Sequence, residues 1–162
     1  ELSLDYSSNT LVKKPSGWRN GPHGGVLNEM GSHLIDMILY LTCGDQIHID
    51  SKHSESVISD VDDKVSFEGK CGSTSVSLSL NWVNKNYRKP TWSGRLVTEK
   101  REITFDQQSL SIGFDPMAVD YYVRGRDFSL QMNHFVEDDT SIFCDSIQAN
   151  RVHDVITNIK CE

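Results

Sequence analysis

The sequence is short of positive charge, long apolar runs and paired cysteines, and each shortage removes a class of function. Sixteen basic side chains stand against 23 acidic ones, a formal net charge of −7 over 162 residues. No cationic field is therefore present to draw in a polyanion such as nucleic acid. The one basic cluster, Lys85, Arg88 and Lys89, holds Tyr87 and lies beside Trp82 and Trp92; it reads either as a base-stacking platform or as a solvated turn between strands. No apolar stretch approaches the ~20 residues of a membrane-spanning helix, and Glu1-Leu2-Ser3-Leu4-Asp5 lacks the pattern of a signal peptide. Cys43, Cys71, Cys144 and Cys161 occur singly, with no C-x-x-C and no histidine at zinc-ligand spacing. Reduced thiols in a soluble, cytoplasmic protein are the expectation.

What is present fits one domain, 1–162, with a hydrophobic core of its own. Hydrophobic residues are 37% and charged residues 24% of the chain, polar for a globular protein but outside the disordered class. Residues 1 to 8 alternate Leu2, Leu4 and Tyr6 against Ser3, Asp5 and Ser7, the period of a half-buried strand. A glycine-rich approach, Gly21-Pro22-His23-Gly24-Gly25, leads into a helix expected from Gly25 to Thr42 and stopped at Gly44. Strands follow around Ile47 and Ile49, Val65 and Phe67, Val76 to Trp82, Leu96 to Thr98, Ile103 to Phe105 and Leu110 to Ile112. After Asp115-Pro116 the pattern returns to helix, once through Phe128, Met132, Phe135 and Val136 and again through Ile147, Val152, Val155, Ile156 and Ile159. This order predicts an α+β fold: a largely antiparallel, open mixed sheet with helices packed on one face.

The first helix carries the chemistry. At ~100° per residue, Val26, Met30, Met37, Leu41, Leu34, Leu27, Ile38 and Ile35 fill one half of its circumference, and Asn28, Ser32, Asp36, Glu29 and His33 most of the other. His33 falls at the border, one turn after Glu29 and with Asp36 a turn beyond. A carboxylate within reach of a partly shielded histidine suits a general acid or base near neutral pH. An ordinary surface histidine in an i,i+4 pair has the same spacing. Glu29, His33 and Asp36 are also metal-ligand types, but no second cluster supplies further ligands, and no metal is expected. Gly24-Gly25 allows close approach by a ligand or a neighbouring domain, and Gly31 inside the helix costs ~1 kcal/mol against Ala unless something packs on it.

The run Gly24-Gly25-Val26-Leu27-Asn28-Glu29-Met30-Gly31-Ser32-His33-Leu34-Ile35-Asp36, followed by Leu39-Tyr40-Leu41 and Gly44 and preceded by Trp18-Arg19, resembles the signature helix of the Gfo/Idh/MocA oxidoreductases. The resemblance implies the C-terminal, dihydrodipicolinate-reductase-like domain of an NAD(P)-dependent dehydrogenase of sugars, inositols or nucleotide sugars. It further implies that NAD or NADP is bound mainly by an N-terminal Rossmann domain, and that the open sheet face makes a homo-oligomer. His33 matches the family histidine that contacts the reacting hydroxyl, and Glu29 stands where many members have Asp. Asp36 matches the acidic residue after His-x-x, and His23 replaces a third glycine. Neither a G-x-G-x-x-G fingerprint nor the family's Glu-Lys-Pro segment is present in this sequence. Glu99-Lys100-Arg101 lacks the proline, lies between strand-like runs and reads as a hairpin turn.

The site expected on this basis has His33 and Glu29 as catalytic residues and Gly24 and Gly25 against the cofactor. Arg19, His23, Asp36, Tyr122 and Arg124 are the expected contacts to a small sugar-like substrate. Tyr121 and Arg126 belong to the same polar-aromatic stretch, which a strand edge would also explain, and His134 and His153 are expected at the surface. The chain alone is expected not to bind NAD tightly or turn over substrate. The alternative is a non-catalytic dimerisation or ligand-sensing module of the same fold, with Val76, Leu78 and Leu80 on an exposed sheet face.

Overall fold

Alternation decides the first element: along β1 (Leu2–Ser7), Leu2, Leu4 and Tyr6 are buried while Asp5 is exposed. The computed structural model describes residues 1–9, 11–87, 89–113, 115–117, 136 and 145–161. A 3₁₀ turn at Gly17–Asn20 precedes the first helix, which begins as a π-helical turn over Leu27–Gly31 and continues as α1 (Ser32–Thr42). Seven more strands follow: β2 (Ile47–Glu55), β3 (Lys64–Cys71), β4 (Thr74–Asn81), β5 (Thr91–Val97), β6 (Glu102–Asp106), β7 (Leu110–Ile112) and β8 (Asp115–Met117). The last described helix is α2 (Ser146–Lys160), capped by the Asp145 carboxylate, which accepts from the Gln148 N–H.

The strands form one eight-stranded sheet in the order β2-β3-β4-β1-β5-β6-β7-β8. Among the described strands only β1 with β4 is a parallel pair; every other neighbour runs antiparallel. The sheet is thus mixed and largely antiparallel, as its sequence pattern predicts, and the fold is α+β. Leu4 sits between Leu78 and Gly94, and Leu78 between Leu4 and Phe67, so the buried side chains of β1, β3 and β4 share a face. Leu34, Ile35 and Ile38 of α1 and Val152, Val155, Ile156 and Ile159 of α2 complete the core against that face.

That packing corrects the expected oligomer surface. Val76, Leu78 and Leu80 are 3%, 1% and 1% exposed, because the apolar side of β4 is the one the first helix covers. The opposite side carries Ser75, Ser77 and Ser79, flanked by Ser66 and Glu68 on β3, Ser3 and Asp5 on β1, and Ser93 and Arg95 on β5. No described helix packs there. Trp82 is fully buried, and Lys85, Tyr87 and Lys89 stand exposed in the turn beyond it, which fits a solvated turn and leaves no stacking platform with Trp82.

The predicted late helix through Phe128 lies outside the described residues, save Val136. The second late helix is α2, with Ile147 exposed and the rest of its apolar stripe buried. Cys43, Cys71 and Cys161 are free thiols; Cys144 lies outside the described residues. No helix among the described residues is long and apolar enough to cross a membrane.

Candidate functional site

The approach to the first helix is gripped at two successive glycines. A Cβ on Gly24 would run into the backbone of Trp18 and Arg19, so the 3₁₀ turn can close over it only if that residue is glycine. Gly25 has φ +99°, a left-handed conformation, and the Asp62 carboxylate fills the space a side chain would need. Val26 N–H donates to the Asp62 carbonyl at 2.8 Å and Leu27 N–H to Asp62 Oδ2 at 2.7 Å, which satisfies donors a helix start leaves free. The glycines expected against a cofactor are therefore packed by the protein's own backbone and by an anionic side chain.

The turn that follows is wider than an α-helical one. Ser32 N–H donates to Leu27 O, five residues back, and Gly31 sits against Leu80, where a Cβ would lie 3.0 Å from that side chain. The close approach to β4 is what offsets the poor helix propensity of Gly31. The far end closes with Cys43 in the left-handed region at φ 50°, one residue before the expected Gly44 stop. Cys43 N–H donates to Tyr40 O and Gly44 N–H to Leu39 O, a Schellman-type end.

Glu29 lies in the wide turn and His33 in α1, and no hydrogen bond or ion pair joins their side chains. Glu29 is instead held by Arg19: Nε and Nη2 each lie 3.2 Å from a carboxylate oxygen, a two-pronged ion pair. The Arg19 guanidinium also lies 5.2 Å from the centroid of the Trp18 ring, and Trp18 is 63% exposed. His33 is exposed on the first turn of α1, and no described residue makes a hydrogen bond or ion pair with it. Asp36 accepts a 2.6 Å hydrogen bond from Gln148 Nε2 and so ties α1 to α2. His23 is exposed in the approach loop, and Tyr122 and Arg124 lie outside the described residues. The structure thus joins Arg19 to Glu29, keeps His33 open to solvent nearby in sequence, and directs Asp36 toward the helix pair. The described residues contain no group of three or more His, Cys, Asp or Glu side chains placed to hold a metal ion.

Sequence reasoning missed the acidic loop Asp60-Val61-Asp62-Asp63. Asp60 accepts from Lys14 and Asn20 and binds the approach loop, which holds its carboxyl below the usual range. Asp63 is fully buried; burial opposes its charge, but the N–H groups of Val57, Ile58 and Ser59 and the Ser59 hydroxyl outweigh that and lower its pKa. Burial dominates at Asp62 and raises its pKa, against the Leu27 N–H and Lys160. Three carboxylates within four residues, directly before a strand, were the available signal.

No protein-family model and no curated protein matches the sequence. Solved structures do match it. UDP-N-acetylglucosamine 3-dehydrogenase GnnA from Acidithiobacillus ferrooxidans aligns with 98% of this chain at 18% identity and a TM-score of 0.74, using 51% of its own length. A dehydrogenase, MviM, from Clostridium difficile aligns with 98% of the chain at 14% identity and a TM-score of 0.74, using 52% of its length. Levoglucosan dehydrogenase, solved with NADH and L-sorbose, aligns with 98% of the chain at 15% identity and a TM-score of 0.80, using 55% of its length. The chain has the fold of about half of each of these dehydrogenases.

Proposed function

We propose that the chain is the C-terminal, substrate-side domain of an NAD(P)-dependent oxidoreductase acting on a hydroxyl of a sugar, inositol or nucleotide sugar. The observation that carries this reading is the match of nearly the whole chain to one half of several dehydrogenases. The signature-like run Gly24 to Asp36 lies at the start of the first helix of that half. The chain spans about half the length of those structures, so a Rossmann domain belongs to the proposal and supplies the cofactor site. The redox chemistry belongs to that cofactor.

The chain's own part is proton traffic and positioning. His33, exposed and free of competing partners among the described residues, takes the proton of the reacting hydroxyl or returns it. Arg19, held by Glu29 and stacked on Trp18, offers a fixed guanidinium edge to a polar or anionic substrate group. His23, Asp36, Tyr122 and Arg124 are secondary contacts in this reading, and Gly24 and Gly25 shape the approach. Free Cys43, Cys71 and Cys161 support a cytoplasmic location. The broad hydroxyl-bearing sheet face is the proposed surface for homo-oligomers.

In the full-length protein, His33→Ala should lower kcat by about 100-fold or more while leaving cofactor affinity within about twofold. Steady-state kinetics and cofactor titration would measure both. A kcat near that of the unmodified protein would end the catalytic assignment. One observation favours the rival reading, a non-catalytic module of the same fold: Arg19 holds the carboxylate expected to orient His33. An inactive full-length protein that still assembles through the sheet would support the module.

A further inference from the structure

Among the charged groups outside that reading, Asp62 is the one that holds the start of the first helix. Its carbonyl accepts from Val26 N–H, its Oδ2 accepts from Leu27 N–H at 2.7 Å, and its carboxylate packs on Gly25. Its side chain is 11% exposed. The charged groups facing it are Lys160, whose Nζ lies 3.8 Å from Oδ1 at the last turn of α2, and the adjacent Asp63. A loop, the helix start and the end of α2 therefore meet at one carboxylate.

We propose that Asp62 is a positioning residue: by locking Gly25, Val26 and Leu27 it sets where Glu29 and His33 stand. The linkage is direct in the backbone. Glu29 N–H donates to Gly25 O at 3.1 Å, so the residue packed on Asp62 also accepts the hydrogen bond of the Glu29 amide. His33 follows in α1, which continues directly from that turn. The functional half of this inference rests on the proposed role of His33.

A carboxylate kept where burial opposes its charge departs from what stability alone would select. The sign follows from linkage. The folded-state pKa of Asp62 lies above the ordinary value of 3.8, so between the two the native state binds more protons than the unfolded one. Stability falls as pH rises through that window, and above it ionised Asp62 is a constant burden on the fold. Asn at this position can still accept from Leu27 N–H without the charge.

Hydrogen exchange read by mass spectrometry on the full-length protein, with Tm and kinetics alongside, tests the inference. In Asp62→Ala, amides of residues 26–33 should exchange about tenfold faster, with kcat down about tenfold and substrate KM within about twofold. Asp62→Asn, which keeps the acceptor for Leu27 N–H, should keep a Tm at pH 7 equal to or above that of the unmodified protein, with exchange and kcat within about twofold; Asp62→Ser carries the exchange comparison if the Ala variant does not fold. Unchanged exchange or an unchanged kcat in Asp62→Ala would overturn the proposal, as would a loss of kcat in Asp62→Asn as large as in Asp62→Ala, since the lock is kept in the Asn variant. His33→Ala is run in parallel: an active His33→Ala protein removes the role of His33, and the exchange comparison still decides whether Asp62 fixes the helix start.

Discussion

Along β4, Val76, Leu78 and Leu80 lie beneath the first helix at 3% exposure or less, whereas their chain neighbours Ser75, Ser77 and Ser79 point to the side that no described helix covers. The covered face joins side chains from β1, β3 and β4 to two helices in one core. The bare face repeats small hydroxyls interrupted by Asp5, Glu68 and Arg95. One backbone thus serves two purposes: the first face holds the fold together and sets the helix that bears His33, and the second contributes little to the core. Substitutions on the two sides should separate cleanly by size.

Leu78→Ala on the covered side should cost about 3 kcal/mol, the loss of a buried leucine together with the cavity it leaves. Ser77→Ala, one residue away, should change stability by less than about 0.5 kcal/mol. Urea unfolding followed by circular dichroism would measure both. Similar losses at the two positions would break the distinction between the faces.

The period of two along Val76, Leu78 and Leu80 was legible, and so were β1, the stripe of α2 and the end of the first helix near Gly44. Which side of the strand receives the helix was not, because alternation states only which residues share a face. The parallel pairing of β1 with β4, across some seventy residues of chain, leaves no local mark in either segment. At the site, Arg19, Glu29, His33, Gly24 and Gly25 could all be singled out from sequence. Their partners could not. The wide turn at Leu27–Gly31 depends on Leu80 meeting Gly31, and the Arg19–Glu29 pair depends on how the 3₁₀ turn folds back over Gly24. Both are products of tertiary contact rather than spacing.

Gln148→Ala sharpens the comparison at the outer layer of the covered side. It removes the donor that Asp36 accepts from, the side-chain hydrogen bond between α1 and α2. Since Asp36 is half-buried and can recover water, the loss should be about 1 kcal/mol, smaller than at Leu78. The same urea titration gives the value. A loss as large as that of Leu78→Ala would mean that the helix pair depends on this polar bond more than on Val152, Val155 and Ile156.

The smallest effect on folding, and the most informative about the bare face, is expected for Ser79→Lys. Ser79 is exposed and lies between Ser66 and Asp5, so a lysine there can extend into water with a carboxylate beside it, and stability should move by less than about 0.5 kcal/mol. Assembly is another matter. If this face meets its own copy, a long cation near the middle of the patch must be desolvated against a hydroxyl-rich surface, and sedimentation velocity should show a shift toward monomer with the fold intact. An oligomer that persists unchanged would move the interface elsewhere and leave the hydroxyl face simply solvated. A variant that unfolds would show instead that the second face supports the core after all.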